Sequence, residues 1–273
     1  MNDHFSLNGK TAIITGGNGV LGGAMAQGLA EAGAVVGIMG RTKETVEEKV
    51  KSINKVADKD SAFPIVGDVM KTDELIDIRK NVLEEYSGID ILINAAGGNL
   101  PGATINPDQS ILDLDDQDFE KVLHLNFMGT YYPTKIFCEQ MIRQKSGSVI
   151  NISSMAAMQA ITRVTGYSAA KSAVDNFTRS MATEMALKYG DGIRVNAIAP
   201  GFFIGKQNKA LLLNEDGSLT DRGQTITDNT PFKRFGKSDE LVGIAIWLSS
   251  KASSFVTGTV IPVDGGFSAF SGV

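Results

Sequence analysis

At 273 residues, 42% hydrophobic and 21% charged, the chain has an ordinary globular composition and can bury a continuous core, as one large α/β domain or two small ones. A net charge of −5 without any basic cluster argues against a nucleic-acid surface, and no apolar run approaches the roughly 20 residues of a membrane-crossing helix. One cysteine (Cys138) and two distant histidines (His4 and His124) exclude an intramolecular disulfide and offer no metal-ligand set. No metal is therefore expected, and with no leader-like N-terminal segment the expected location is cytoplasmic.

The first strand is predicted over residues 11–15. It runs into Thr15-Gly-Gly-Asn-Gly-Val-Leu-Gly22, where Gly17, Gly19 and Gly22 fit Gly-x-Gly-x-x-Gly between a strand and a helix. Such a turn lets backbone approach a pyrophosphate, whose charge the helix N-terminus attracts. A helix over 22–32 and a strand over 34–39 follow, ending at Gly40-Arg41. A fold that binds NAD places a carboxylate here for the ribose 2′-hydroxyl. Arg41 stands in its place, either as a solvated arginine or facing a 2′-phosphate, and on that basis NADP(H) is favoured over NAD(H).

A helix over 43–57 precedes a strand over 62–66 and then Asp68, which either accepts from an adenine amino group or caps a helix. A helix over 72–86 leads to a strand over 89–94. Five acids between residues 113 and 120 suit the start of a helix over 116–144, where negative charge is favoured. Cys138 reads as a buried packing residue of that helix, and His124 as a helix residue with a satisfied hydrogen bond. After a strand over 148–152, a helix over 167–189 places Tyr167 and Lys171 on one face, where an ammonium beside a phenol favours the phenolate. A strand over 193–198 ends near residues 202–231, a polar stretch with one short apolar helix. It follows the carboxyl end of a strand, where open α/β sheets bind ligands, and reads as a lid rather than a disordered insertion. A helix over 238–249 and a strand over 259–263 complete the alternation. Strands and helices in this order make βαβ units with right-handed crossovers: a single-domain, doubly wound parallel sheet of about seven strands with helices on both faces.

The whole chain resembles the short-chain dehydrogenase/reductase family. The resemblance is carried by the glycine turn at 15–22, Asn94-Ala-Ala-Gly97, Asn126, Ser154, Tyr167 with Lys171, Asn196-Ala-Ile-Ala-Pro-Gly201 and the closing stretch 257–266. The 13-residue spacing from Ser154 to Tyr167 is that of the family. The resemblance implies a Rossmann-type fold with the cofactor held by Gly16, Gly17, Asn18, Gly19, Val20, Leu21, Gly22, Arg41, Asp68, Val69, Asn94, Ala95, Ala96, Gly97, Tyr167, Lys171, Pro200 and Gly201. Tyr167 is then the general acid or base on the substrate oxygen, and Ser154 holds that oxygen; Ser153 beside it is equally polar, but the spacing favours Ser154. Lys171 binds the nicotinamide ribose and lowers the tyrosine pKa, while Asn126 anchors the water of a proton relay. A homotetramer is implied, with helix pairs and the C-terminal segment at its interfaces. Two positions depart from the family pattern. Val20 replaces a usual Gly or Ala, and Gly205, followed by Lys206, stands where many members carry a threonine.

Residues 96–104, 207–220 with Arg222-Gly223, and 264–273 resemble the D-mannonate oxidoreductase (fructuronate reductase) type, which interconverts D-fructuronate and D-mannonate. A hexuronate needs hydroxyl partners, for which Asn99, Gln207 and Asn208 are candidates, and a cation for its carboxylate, for which Lys206, Lys209 and Arg163 are candidates. The alternatives are a reductase of another keto sugar, of the gluconate 5-dehydrogenase kind, or of a 3-oxoacyl thioester. A nucleotide-binding redox sensor without catalysis is disfavoured, because Tyr167, Lys171, Ser154 and Asn126 all stand.

Overall fold

The strands are short runs of β-branched and aliphatic residues: β1 (Thr11–Thr15), β2 (Val35–Gly40), β3 (Ala62–Val66), β4 (Ile91–Asn94), β5 (Gly147–Ile152), β6 (Ile193–Pro200) and β7 (Val260–Val263). In the computed structural model, which describes residues 3–57, 60–205 and 208–272, they form one all-parallel sheet in the order β3-β2-β1-β4-β5-β6-β7. Every residue of β1, β5 and β6 is buried, as expected for strands covered on both faces.

Alternation along the strands sends neighbouring side chains to opposite layers. Ile14 and Ile150 pack beneath α1 (Val20–Glu31), α2 (Lys43–Val56) and a later helix at 242–249, through Met25, Leu29, Val46, Ile53 and Leu248. Ile13 and Val149 face α3 (Thr72–Glu85), α4 (Asp116–Gln144) and a helix at 165–189, through Leu75, Val82, Phe137, Met141 and Met185. Each large side chain so withdrawn from water contributes about 1.5–3 kcal/mol. Cys138 lies in this second layer, and burial pushes its thiol up to about 12. His124 is exposed on α4 and its side chain makes no hydrogen bond among the described residues, contrary to the expectation from sequence.

The remaining helices are α5 (Met155–Met158), α6 (Thr165–Tyr189), α7 (Lys209–Leu212), α8 (Asp221–Asp228) and α9 (Val242–Ser249). The expected helix over 238–249 divides into a 3-10 turn at Ser238–Leu241 followed by α9. β6 runs two residues past its expected end, because Ala199 and Pro200 pair with Pro262 and Val263. The described residues of 202–231 hold two short helices, α7 and α8, rather than one. The acids before α4 act as read from sequence: Asp115 caps the helix, accepting from the Asp118 N–H at 2.8 Å.

Both edge strands carry a proline. In a parallel ladder alternate residues address the same neighbour. Gly67 N–H donates to Gly40 O, so Pro64 of β3 points away from β2. Val263 O and Thr259 O accept from β6, so Pro262 of β7 also points outward. On each edge the residue without an N–H is turned to the open side.

Candidate active site

The strand order reverses between β1 and β4, and the candidate residues gather at the carboxyl ends of those strands and of β5 and β6. At the end of β1, Thr15 Oγ1 accepts from the Ala95 and Ala96 N–H groups, each at 3.2 Å, tying the glycine turn to the segment after β4. Gly16 follows with φ +65°, and a Cβ there would lie 2.8 Å from Ala95 O. A Cβ on Gly22 would lie 2.5 Å from Gly16 O, so the first turn of α1 packs directly on the turn backbone. Gly19 is the N-cap of α1, has extended backbone and supplies no side-chain cap, leaving the first N–H groups of a 12-residue helix open. Val20 takes the first helical position, is exposed and disturbs none of these contacts, while Leu21 packs against the first core layer. α1 therefore starts two residues earlier than expected.

Asn18 Nδ2 donates to Thr45 Oγ1 at 2.8 Å, and Gly17 is buried. Arg41 is exposed after β2 and has neither a hydrogen bond nor an ion pair among the described residues. Asp68 Oδ1 accepts from the Met70 N–H at 2.9 Å, so one of its oxygens serves as a local cap, and Val69 packs in the second core layer. Asn94 is buried: Nδ2 donates to Thr134 Oγ1 at 2.8 Å and to Asn151 Oδ1 at 2.9 Å, while its own Oδ1 has no partner. Gly97 lies open, and a Cβ there would sit 2.5 Å from Asn126 Oδ1 and 3.6 Å from Lys171 Nζ. Pro200 and Gly201 close the far side, with Gly201 N–H donating to Val263 O at 3.0 Å.

The four catalytic candidates converge here. Ser154, at the end of β5, caps α5 by accepting from Ala156 N–H at 3.1 Å, and its hydroxyl lies close enough to the Tyr167 phenol in the first turn of α6 to pull that phenol's pKa down. Lys171 Nζ donates to Ile152 O at 2.7 Å and lies 5.6 Å from the Tyr167 ring centroid. Asn126 Nδ2 donates to Gly98 O at 2.6 Å and Val122 O at 2.8 Å, and its Oδ1 accepts from Gly98 N–H at 3.0 Å. Thr130 Oγ1 donates to Asn126 O at 3.1 Å.

One electrostatic expectation is reversed. Burial holds the Tyr167 phenol above its usual range, and the hydrogen bond with Ser154 offsets only part of that. Lys171 is itself buried, which brings its ammonium down to about 8 against the opposing charge of Asp175. Its ammonium is directed to Ile152 O.

Asp175 escaped the sequence reading, although it lies one helical turn beyond Lys171 on the same face. It is buried and accepts a hydrogen bond from Ser153 Oγ; burial raises its carboxyl, while Ser153, Arg179 and Lys171 pull it down. Ser153 is therefore committed to Asp175, while Ser154 faces Tyr167, which separates two adjacent serines that composition alone could not.

The candidate sugar partners divide. Asn208 is engaged in its own loop, accepting from Gly205 N–H at 2.7 Å and donating to Phe203 O at 2.9 Å. Asn99 Nδ2 donates to Thr104 Oγ1 at 2.7 Å, but its buried Oδ1 has no partner. Lys209 is exposed on α7; Lys206 and Gln207 lie outside the described residues. Among the described residues no group of three histidine, cysteine or carboxylate side chains gathers as a metal site, and no helix is long and apolar enough to cross a membrane.

Comparison with known proteins agrees with this geometry. The family model described as short chain dehydrogenase matches residues 10–215. An uncharacterized oxidoreductase, UxuB, of Bacillus subtilis (strain 168) is 43% identical over 99% of both chains. A Haemophilus influenza structure with bound NAD, described as a candidate D-mannonate oxidoreductase, is 40% identical over 98% of both chains with a TM-score of 0.90. A gluconate 5-dehydrogenase from Burkholderia cenocepacia J2315, solved with NADP and tartrate, is 31% identical over 98% of both chains with a TM-score of 0.85. Sequence, sheet order and residue placement thus converge: the chain belongs to the short-chain dehydrogenase family of oxidoreductases.

Proposed function

We propose that this enzyme transfers hydride between a nicotinamide cofactor and the carbonyl or alcohol of a sugar acid, with the D-fructuronate/D-mannonate pair as its substrates. The observation that carries the reaction type is the Ser154–Tyr167–Lys171 cluster beside the glycine turn. The turn fits a dinucleotide: the space a Cβ would fill at Gly16 and Gly22 is closed by backbone, and the uncapped start of α1 offers N–H groups to a pyrophosphate. Bound there, the nicotinamide supplies or accepts the hydride. Tyr167 gives its phenolic proton to the substrate oxygen during reduction and takes it back during oxidation. Ser154 donates to the same oxygen, where charge develops as the carbonyl becomes an alkoxide. Lys171, once a ribose hydroxyl joins Ile152 O as its partner, stands beside the tyrosine as a cation. Asn126 holds the residue 97–98 backbone in place and lends its carbonyl to a water of the proton path.

Arg41 supports NADP(H) over NAD(H), since its guanidinium is exposed at the end of β2 with no partner among the described residues. Residues 202–231 serve as a lid, tethered through Arg222 to Thr162. The D-mannonate assignment rests on the 40% identity to the Haemophilus influenza protein, while the gluconate 5-dehydrogenase likeness keeps gluconate and its 5-keto form as the second reading. The enzyme assembles as a homotetramer through α4 and α6, whose partly exposed Phe127, Tyr131 and Phe177 form an aromatic cluster.

The test follows nicotinamide absorbance with NADPH and with NADH against D-fructuronate, 5-keto-D-gluconate and acetoacetyl thioesters. Turnover of D-fructuronate with NADPH preferred is expected, lost in Tyr167→Phe while NADPH still binds. Thioester turnover without sugar-acid turnover refutes the substrate class, and an active Tyr167→Phe refutes the assignment of the proton donor.

A further inference from the structure

Two arginines approach each other just before the helix that carries Tyr167 and Lys171, and among the described residues no acid pairs with either. Arg163 precedes Tyr167 by four residues in the loop between α5 and α6, and Arg222 stands in the first turn of α8, across the segment that follows β6. Both are partly buried. Arg222 donates from Nη1 to Thr162 Oγ1 at 3.1 Å and from Nη2 to Thr162 O at 3.2 Å, which brings it against the residue next to Arg163. Arg163 donates from Nε to Ile105 O at 2.6 Å and from Nη2 to Asn106 Oδ1 at 3.2 Å. Every one of these acceptors is a neutral oxygen. Among the described residues neither guanidinium has an ion-pair partner. Burial, and then the charge of Arg163, lowers the affinity of Arg222 for its proton.

The backbone of Arg163 adds a second, independent observation. Its φ is +79°, in the left-handed region that side-chain-bearing residues avoid unless their neighbours hold them there. Ile105 N–H donates to Arg163 O at 3.0 Å, and the guanidinium returns to Ile105 O, so the residue is clamped from both ends. The buried oxygen of Asn99 and the buried hydroxyl of Thr165, two residues after Arg163, both lack partners among the described residues. A like-charged pair partly withdrawn from water, held by strained backbone and paired with no acid, is costly unless an anion completes it.

We propose that Arg163 and Arg222 form the subsite for the carboxylate of the substrate, one arginine from the fixed wall of the cleft and one from the segment that covers it; the proposal rests on the sugar-acid reading above. Each guanidinium keeps donors in its fork that no protein atom uses, and a carboxylate is the planar acceptor that fits such a fork. The placement also couples recognition to closure. A sugar acid bridging the two arginines pins α8 to the loop before Tyr167, whereas a neutral sugar leaves their repulsion unrelieved.

The experiment measures binding of D-gluconate, and of D-glucitol as its neutral counterpart, to the NADPH-loaded protein by calorimetry, where no turnover occurs. Wild type is expected to bind gluconate and not glucitol, and Arg222→Gln and Arg163→Gln to weaken gluconate about 10-fold or more each. The same variants should raise KM for D-fructuronate more than they lower kcat. Unchanged NADPH affinity in each variant certifies the fold, and Arg222→Lys, which keeps the charge but loses the fork, should fall between wild type and Arg222→Gln. If wild type binds gluconate and the glutamine variants bind it equally well, the subsite is refuted while the sugar-acid reading stands. If wild type binds glucitol as tightly as gluconate, no carboxylate subsite exists. If wild type neither binds gluconate nor reduces any sugar acid, the substrate reading falls and takes this inference with it.

Discussion

Lys171 is an amine folded where its charge is expensive. Burial brings it from 10.5 to about 8, so between those values the unfolded chain binds more protons than the folded one. The stability attributable to this group therefore rises with pH across that window. Its deficit at pH 7 is about 3 kcal/mol by linkage. In urea unfolding of the protein without cofactor, wild type should gain on Lys171→Met between pH 8 and 10.5; parallel curves would show that Lys171 titrates normally. Tyr167, Lys171 and Ser154 were readable because fixed spacing on a helix and after a strand encodes proximity. The direction of the tyrosine shift was not, because spacing says nothing of burial. Arg163 in a left-handed conformation and the commitment of Ser153 to Asp175 were unreadable for a related reason: both depend on contacts between segments far apart in sequence.

At the scale of elements, the strand–turn–helix at residues 11–31 shows how a departure from pattern is absorbed. The close approach falls on Gly22 against Gly16 O, not on position 20, so Val20 sits outward without cost. Gly22→Ala should accordingly push backbone against backbone, lower stability by about 1–3 kcal/mol and weaken NADPH binding, read by unfolding and by nucleotide fluorescence. Unchanged values for both would mean that the turn relaxes freely. Alternating β-branched runs and helical periods located most elements to within a few residues. α5, α7 and α8 were missed or merged, since four to eight residues carry too little periodicity to stand out from loop.

For the whole molecule, the alternation predicted a doubly wound sheet, but the strand order came only from the folded chain, because pairing partners leave no local trace in sequence. The proposed homotetramer places Phe127, Tyr131 and Phe177 against a second copy. Light scattering should give four subunits for wild type and a smaller species for Phe177→Asp; an unchanged tetramer would put the interface elsewhere. An assembly built through helices rather than strands agrees with the two edges of the sheet. Pro64 and Pro262 each leave a gap in the middle of an outward row of donors, so a stray strand from another molecule finds no continuous template. A crowded solution of the folded enzyme is thereby guarded at both ends against fibrous growth, at the cost of two ladder bonds it never needed.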